Sequence, residues 1–157
     1  MEETFQVAAT RRIEATPGRI YSVFADYLDA HPRILPPSFF EGMTVEEGGY
    51  GAGTVVRVAG RFGGRRREMR GVVTEPEPGR RLVESYPDDR MVTAFLVEPV
   101  DGGRASEVTI STSLPRRRGI VGWLEERLVR RLLTRVYGEE LDLLVQYLDS
   151  TGSPEAA

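Results

Sequence analysis

The chain has 157 residues, enough for one domain with a substantial hydrophobic core. Its 40% hydrophobic and 29% charged content is ordinary for a globular protein, and no apolar run approaches the roughly 20 residues of a membrane-spanning helix. A net charge of −3 argues against a nucleic-acid binder, which usually carries a net basic domain or face.

The missing residue types narrow the chemistry further. All 21 basic residues are arginine, cysteine is absent, and His31 is the only histidine. This excludes lysine Schiff bases, a P-loop lysine, thiol nucleophiles, thiolate metal sites and a multi-histidine metal site within one chain. Carboxylates, tyrosine, serine, threonine, arginine, His31 and backbone groups remain. Asparagine is missing too, a bias that coding composition explains as well as any physical need. The N-terminal MEETFQVAATRR is acidic and then alternating, unlike a signal peptide, so a cytoplasmic location is the default expectation.

Phe5, Val7, Ala9, Arg11 and Ile13 alternate with polar or small residues, which predicts a strand. Thr16 is placed to cap a helix with Pro17 at its first position. Ile20, Tyr21, Val23, Phe24, Tyr27 and Leu28 fill one side of that helix, which should reach about Tyr27. A short second helix, capped by Asp29 and interrupted by Pro32, should end near Leu35, because Pro36 and Pro37 follow. Strands are then expected over Phe39–Glu47, Thr54–Phe62, Arg65–Glu75, Arg80–Tyr86, Arg90–Glu98 and Ala105–Leu114. Between them, Gly63-Gly64 marks a tight hairpin, and Pro76–Gly79, Pro87–Asp89 and Asp101–Gly103 mark turns. From Gly119 to about Asp149 the apolar period becomes helical, giving a helix about 45 Å long that Gly138 could bend. Residues 150–157 read as a disordered tail behind a single ligand-binding domain over residues 1–149.

Seven strands joined by short turns imply a mostly antiparallel sheet with one apolar face. Only the C-terminal helix is large enough to cover that face. A curved sheet around one helix leaves a gap, which the two short helices would close at one end. The expected fold is therefore α+β, with an apolar internal cavity.

The residues also carry a resemblance. Ile13-Glu14-Ala15-Thr16-Pro17, Ile20 to Tyr27, Leu35-Pro36, Gly51-Ala52-Gly53-Thr54 and Pro76 to Leu82 resemble the START-like superfamily, also called SRPBCC, and its polyketide cyclase/dehydrase-like branch. The order of elements is similar to the helix-grip fold. Ile34 stands where many relatives carry tryptophan. The resemblance implies a hydrophobic cavity for lipids, polyketides, quinones or similar molecules. Some relatives are aromatases or cyclases, and many only bind or carry.

Several local features have a plain reading and a functional one. The Gly48–Gly53 loop lacks the lysine and following helix of a phosphate cradle, and reads equally as a flap at a cavity mouth or a simple connection. Arg65–Arg67 reads as a solvated edge with cross-strand Arg–Glu pairs. Arg116–Arg118 reads as a solvated linker, with an anion or partner contact as the alternative. His31 is expected as an exposed turn residue rather than a general base. Tyr21, Tyr27, Tyr86, Tyr137 and Trp123 offer polar handles, and Tyr137, midway along the long helix, is the best placed to line a cavity. Among Glu41, Glu84 and Glu98, an inward carboxylate would be a candidate for a shifted pKa.

The expected function is binding or transport of a hydrophobic small molecule. The alternatives are a cyclase/dehydrase-like enzyme using acid–base side chains, and a non-catalytic interaction module. The expected lining comprises Phe24, Tyr27, Phe39, Val56, Val58, Phe62, Met69, Val73, Phe95, Val97, Val108, Ile110, Trp123, Val136 and Tyr137. No metal or cofactor is expected. The expected partner is an apolar small-molecule ligand, with room for a homodimer and with neither nucleic acid nor an integral membrane segment.

Overall fold

A computed structural model of the chain describes residues 2–152. It opens with β1 (Thr4–Ile13), whose Phe5, Val7 and Ile13 point inward, in keeping with the alternation. Helix α1 spans Pro17–Ala25 and α2 spans Ala30–Ile34. Neither Thr16 nor Asp29 caps through its side chain, contrary to the sequence expectation. The Thr16 carbonyl instead accepts the Ile20 N–H at 3.2 Å, and Asp29 accepts the Arg33 guanidinium at 2.8 Å. Helix α1 stops two residues before Tyr27. The Asp26 side chain there accepts the N–H groups of Leu28 and Asp29 at 3.2 and 3.1 Å, turning the chain locally. Pro32 lies inside α2 without interrupting it, because its missing N–H falls in the first turn, where no helical partner exists.

The sheet follows as β2 (Phe40–Glu47), β3 (Val55–Phe62), β4 (Arg65–Glu77), β5 (Arg81–Tyr86), β6 (Met91–Val100) and β7 (Ala105–Pro115). All neighbours are antiparallel, in the order β1-β7-β6-β5-β4-β3-β2. Gly63 and Gly64 form the β3–β4 hairpin at φ +60° and +82°, closing the Phe62–Arg65 pair. The strand β4 runs past Pro76, with an irregular register between Thr74 and Glu77 that admits the proline. The final helix, α3 (Gly119–Thr151), lies over the inner face of the sheet and continues through Gly138. It includes Ser150 and Thr151, which the sequence reading placed in a disordered tail; residues 153–157 of that tail lie outside the described residues.

The result is a curved seven-stranded antiparallel sheet gripping a long helix, with α1 and α2 following the first strand. This is the helix-grip α+β fold. Its core joins Ile20 and Phe24 of α1, Ile34 of α2, the inward residues of the strands, and Leu141, Leu144 and Leu148 of α3. Among the described residues, no helix is long and apolar enough to cross a membrane.

Candidate functional site

A cavity of about 160 Å³ lies between the sheet and α3. Its outer walls are half-exposed apolar side chains, among them Phe40 and Met43 of β2, Met91 of β6, and Leu132 and Leu133 of α3, with Arg67 at the rim. Its inner end is buried and partly polar, carrying His31, Glu84, Tyr86, Thr93, Tyr137 and Glu140.

Each polar group arrives there for a local reason. Leu82, Glu84 and Tyr86 alternate along β5, so all three point inward. Gly71 of the neighbouring strand leaves room for the Tyr86 ring; a Cβ at that position would lie 2.7 Å from its Cε1. Glu140 follows Val136 by four residues and precedes Leu144 by four, which puts a carboxyl on the apolar stripe of α3. His31 is only 1% exposed, because α2 folds against the core and Nδ1 donates to the Phe24 carbonyl at 2.6 Å. The expectation of an exposed turn residue is therefore corrected.

The hydrogen bonds set the roles of these groups. Glu84 accepts the Tyr27 hydroxyl at one oxygen and the Tyr86 hydroxyl at the other, each at 2.7 Å. With its Nδ1–H committed to Phe24, His31 directs Nε2 at two carboxyl groups. The Glu84 and Glu140 Oε1 atoms both lie 3.8 Å from it, beyond direct hydrogen bonding. Glu140 Oε1 is buried with no hydrogen-bond partner. Burial holds the Glu140 carboxyl well above the usual carboxylate range, and the charge of Glu84 adds to the shift, so Glu140 favours its neutral form. Burial likewise raises the Tyr27 and Tyr86 hydroxyls, with Glu84 reinforcing it, and keeps both as donors. Tyr137 contacts the Thr112 hydroxyl, which pairs with Thr93 at 2.8 Å. Among the described residues, no histidine–carboxylate group has the geometry to hold a metal ion.

Of the residues read from the sequence as lining, Val58, Phe62, Met69, Phe95, Val136 and Tyr137 border the cavity. Phe24, Phe39, Val56, Val73, Val97, Val108 and Ile110 do not; they are buried in the packed core. Phe24 lies on α1 and Phe39 just before β2, while the other five face inward from their strands as expected; in each case core side chains occupy the space between the residue and the cavity. Phe24, for instance, packs on Phe95 with ring centroids 4.7 Å apart. Tyr27 stands behind the wall and reaches the site through its hydroxyl bond to Glu84 and by stacking on His31, with ring centroids 4.7 Å apart. Trp123 is 57% exposed and borders nothing internal, since it projects from a different side of α3 than Val136 does.

The remaining candidates lie elsewhere. Glu41 and Glu98 form surface pairs with Arg66 and Arg80, each at 2.8 Å. Tyr21 donates to Glu75 at 2.7 Å. The Gly48–Gly53 loop does not border the cavity. It is pinned to the end of α1 through Tyr27 N–H to Gly49 O at 3.0 Å and Gly51 N–H to Ala25 O at 2.9 Å, which favours the connecting-loop reading over the flap. The arginine runs are ion-paired in part, Arg66 to Glu41 at 2.8 Å and Arg116 to Glu126 at 2.9 Å. Sequence reasoning missed Glu140, although a lone carboxylate on an apolar helical stripe was a usable signal.

Known structures share this architecture. The solution structure of KanY protein is 26% identical, with a TM-score of 0.80 over 94% of this chain and 99% of that one. A Thermus thermophilus protein is 22% identical, with a TM-score of 0.74 over 95% and 100% of the two chains. The Zhui aromatase/cyclase of Streptomyces sp. R1128 is 18% identical, with a TM-score of 0.74 over 96% and 100%. Among curated proteins none matches. A family model described as polyketide cyclase/dehydrase and lipid transport matches residues 4–149. The chain therefore belongs to that family, within the START-like superfamily.

Proposed function

We propose that this protein binds a hydrophobic small molecule in the cavity, with a hydroxyl or carbonyl group of that molecule seated at Glu140 and His31. The observation that carries this reading is the unpartnered Glu140 Oε1 at the buried end of an otherwise apolar cavity. An unsatisfied buried polar group costs about 1–3 kcal/mol, which a ligand hydrogen bond recovers and a pure hydrocarbon does not. The volume matters as well. A cavity of about 150 Å³ holds a molecule the size of benzene, so a larger ligand must extend past the half-exposed outer residues. The test is calorimetric titration with matched pairs, a long-chain alcohol or ketone against its hydrocarbon isostere. The polar member should bind roughly tenfold tighter, about 1.4 kcal/mol, and Glu140→Leu should erase the difference. Absence of binding by either member would overturn the reading.

A second reading is favoured by one arrangement: a neutral carboxyl and an imidazole with a free Nε2 flank the same point. On a β-hydroxy ketone, Nε2 would take the proton next to the carbonyl while Glu140 protonates the departing hydroxyl, releasing water and leaving the unsaturated ketone. Glu84 would steady the imidazolium. Mass spectrometry of such substrates after incubation tests this. Loss of water that disappears in Glu140→Gln supports it, and unchanged substrate counts against it.

A further inference from the structure

The first turns of α3 carry an apolar face that nothing among the described residues covers. Of the eight exposed large hydrophobics among the described residues, five fall within residues 120–128: Ile120, Val121, Trp123, Leu124 and Leu128, between 48% and 79% exposed. At about 100° per residue, Ile120, Val121, Leu124 and Leu128 share one side of the helix, with Trp123 at its edge.

The charges on that side have one sign. Arg127 and Arg131 lie among the apolar residues, and neither has an ion pair among the described residues; Arg127 stacks over Trp123 at 5.6 Å. Of the acidic residues of this stretch, Glu126 is turned away and Glu125 flanks the face beside Val121, and both are occupied. Glu126 binds Arg116 and Arg130 at 2.9 and 2.8 Å, and Glu125 faces Arg117 at 3.3 Å.

We infer that this face of α3 docks on an anionic lipid surface, with Ile120, Leu124, Leu128 and Trp123 entering the headgroup boundary and Arg127 and Arg131 pairing with lipid phosphates or carboxylates. Apolar exposure alone would suit a second copy equally well. Charge separates the two occupants. A twofold dimer on this face would set two arginine-bearing faces against each other, whereas an anionic bilayer neutralises them. Tryptophan and arginine beside an apolar stripe form the pattern of an interfacial helix. The net charge of −3 repels the rest of the molecule from such a surface and so orients it. Leu132 lies beside this face and Val129 and Leu133 lie farther round the helix, and all three border the half-exposed part of the cavity. Docking would bring that part close to the bilayer, although the inference does not require the ligand to be a lipid.

Trp123 is the only tryptophan, so the protein carries its own reporter. Full-length chain is mixed with vesicles of about 3:1 phosphatidylcholine to phosphatidylserine, or of phosphatidylcholine alone, and followed by sedimentation and emission wavelength. Binding with a blue shift is expected on the anionic vesicles, about tenfold weaker on the neutral ones and weakened by salt. Arg127→Glu with Arg131→Glu should abolish the preference, and Leu124→Glu with Leu128→Glu should abolish binding, both at exposed positions and with unchanged circular dichroism. Equal binding to both vesicles, or none, overturns the inference. So does a blue shift that rises with protein concentration without vesicles and accompanies dimers in sedimentation velocity.

Discussion

The two halves of α3 share one helical period and meet opposite surroundings. In the second half, Val136, Tyr137, Leu141, Leu144 and Leu148 are buried against the sheet and the short helices. In the first, Ile120, Leu124 and Leu128 lie in the open, and only Gly122 is buried. Apolar spacing therefore shows that a stripe exists without saying what it faces. The second half closes the core, and the first leaves a cavity on one side and an uncovered face on the other.

The sharpest way to break this comparison is to truncate one leucine in each half. Leu144 has no exposed surface, so Leu144→Ala should cost about 2–5 kcal/mol in urea unfolding. Leu128→Ala should change stability by less than about 0.5 kcal/mol. Equal losses would mean that the first half is packed in solution.

Next in size is Gly71→Ala at the junction of core and cavity. The new methyl would meet the Tyr86 ring at 2.7 Å, within the backbone of a paired strand that cannot easily retreat. Overpacking of this kind costs about 1–3 kcal/mol. Moving Tyr86 would also release a Glu84 oxygen, so ligand affinity should fall alongside the melting temperature. A stable variant with unchanged ligand titration would show that the Tyr86–Glu84 bond does not shape the site.

Much of this architecture was legible because period two, period 3.6 and glycine or proline punctuation are local signals. The Gly63-Gly64 hairpin and the inward sets of β3 and β7 follow directly from them. The site was legible only in part. Alternation selects the inner face for both Val56 and Val58, but only Val58 meets the cavity, because position along the strand depends on where the helices fill the space. The burial of His31 depends on a bond to a carbonyl seven residues earlier, formed only once α2 folds back, and nothing in the His31-Pro32 text encodes it. Glu84 was singled out from its strand and Glu140 was missed on its helical stripe, and their convergence is a tertiary fact that joins β5 to α3.

The last and most specific effect concerns the buried end of the cavity, where the second half supplies Glu140. The Glu140 carboxyl is raised well above its ordinary 4.5 by burial and then by Glu84. Below 4.5, folded and unfolded chains both hold this proton, and its contribution to stability is fully present. As pH rises through the interval up to the folded pKa, the unfolded chain releases the proton while the folded one keeps it. Stability then falls by about 1.4 kcal/mol per pH unit until Glu140 ionises in place. Glu140→Gln has no such proton to release, while both proteins keep Glu84, His31, Tyr27, Tyr86 and Tyr137 around the position. Subtracting the two stability curves isolates Glu140. The difference should be flat in acid and then grow with pH in favour of the glutamine variant. A difference that stays flat to neutral pH would mean that Glu140 ionises normally, and the unpartnered acid at the end of the cavity would no longer distinguish that end from the rest of the core.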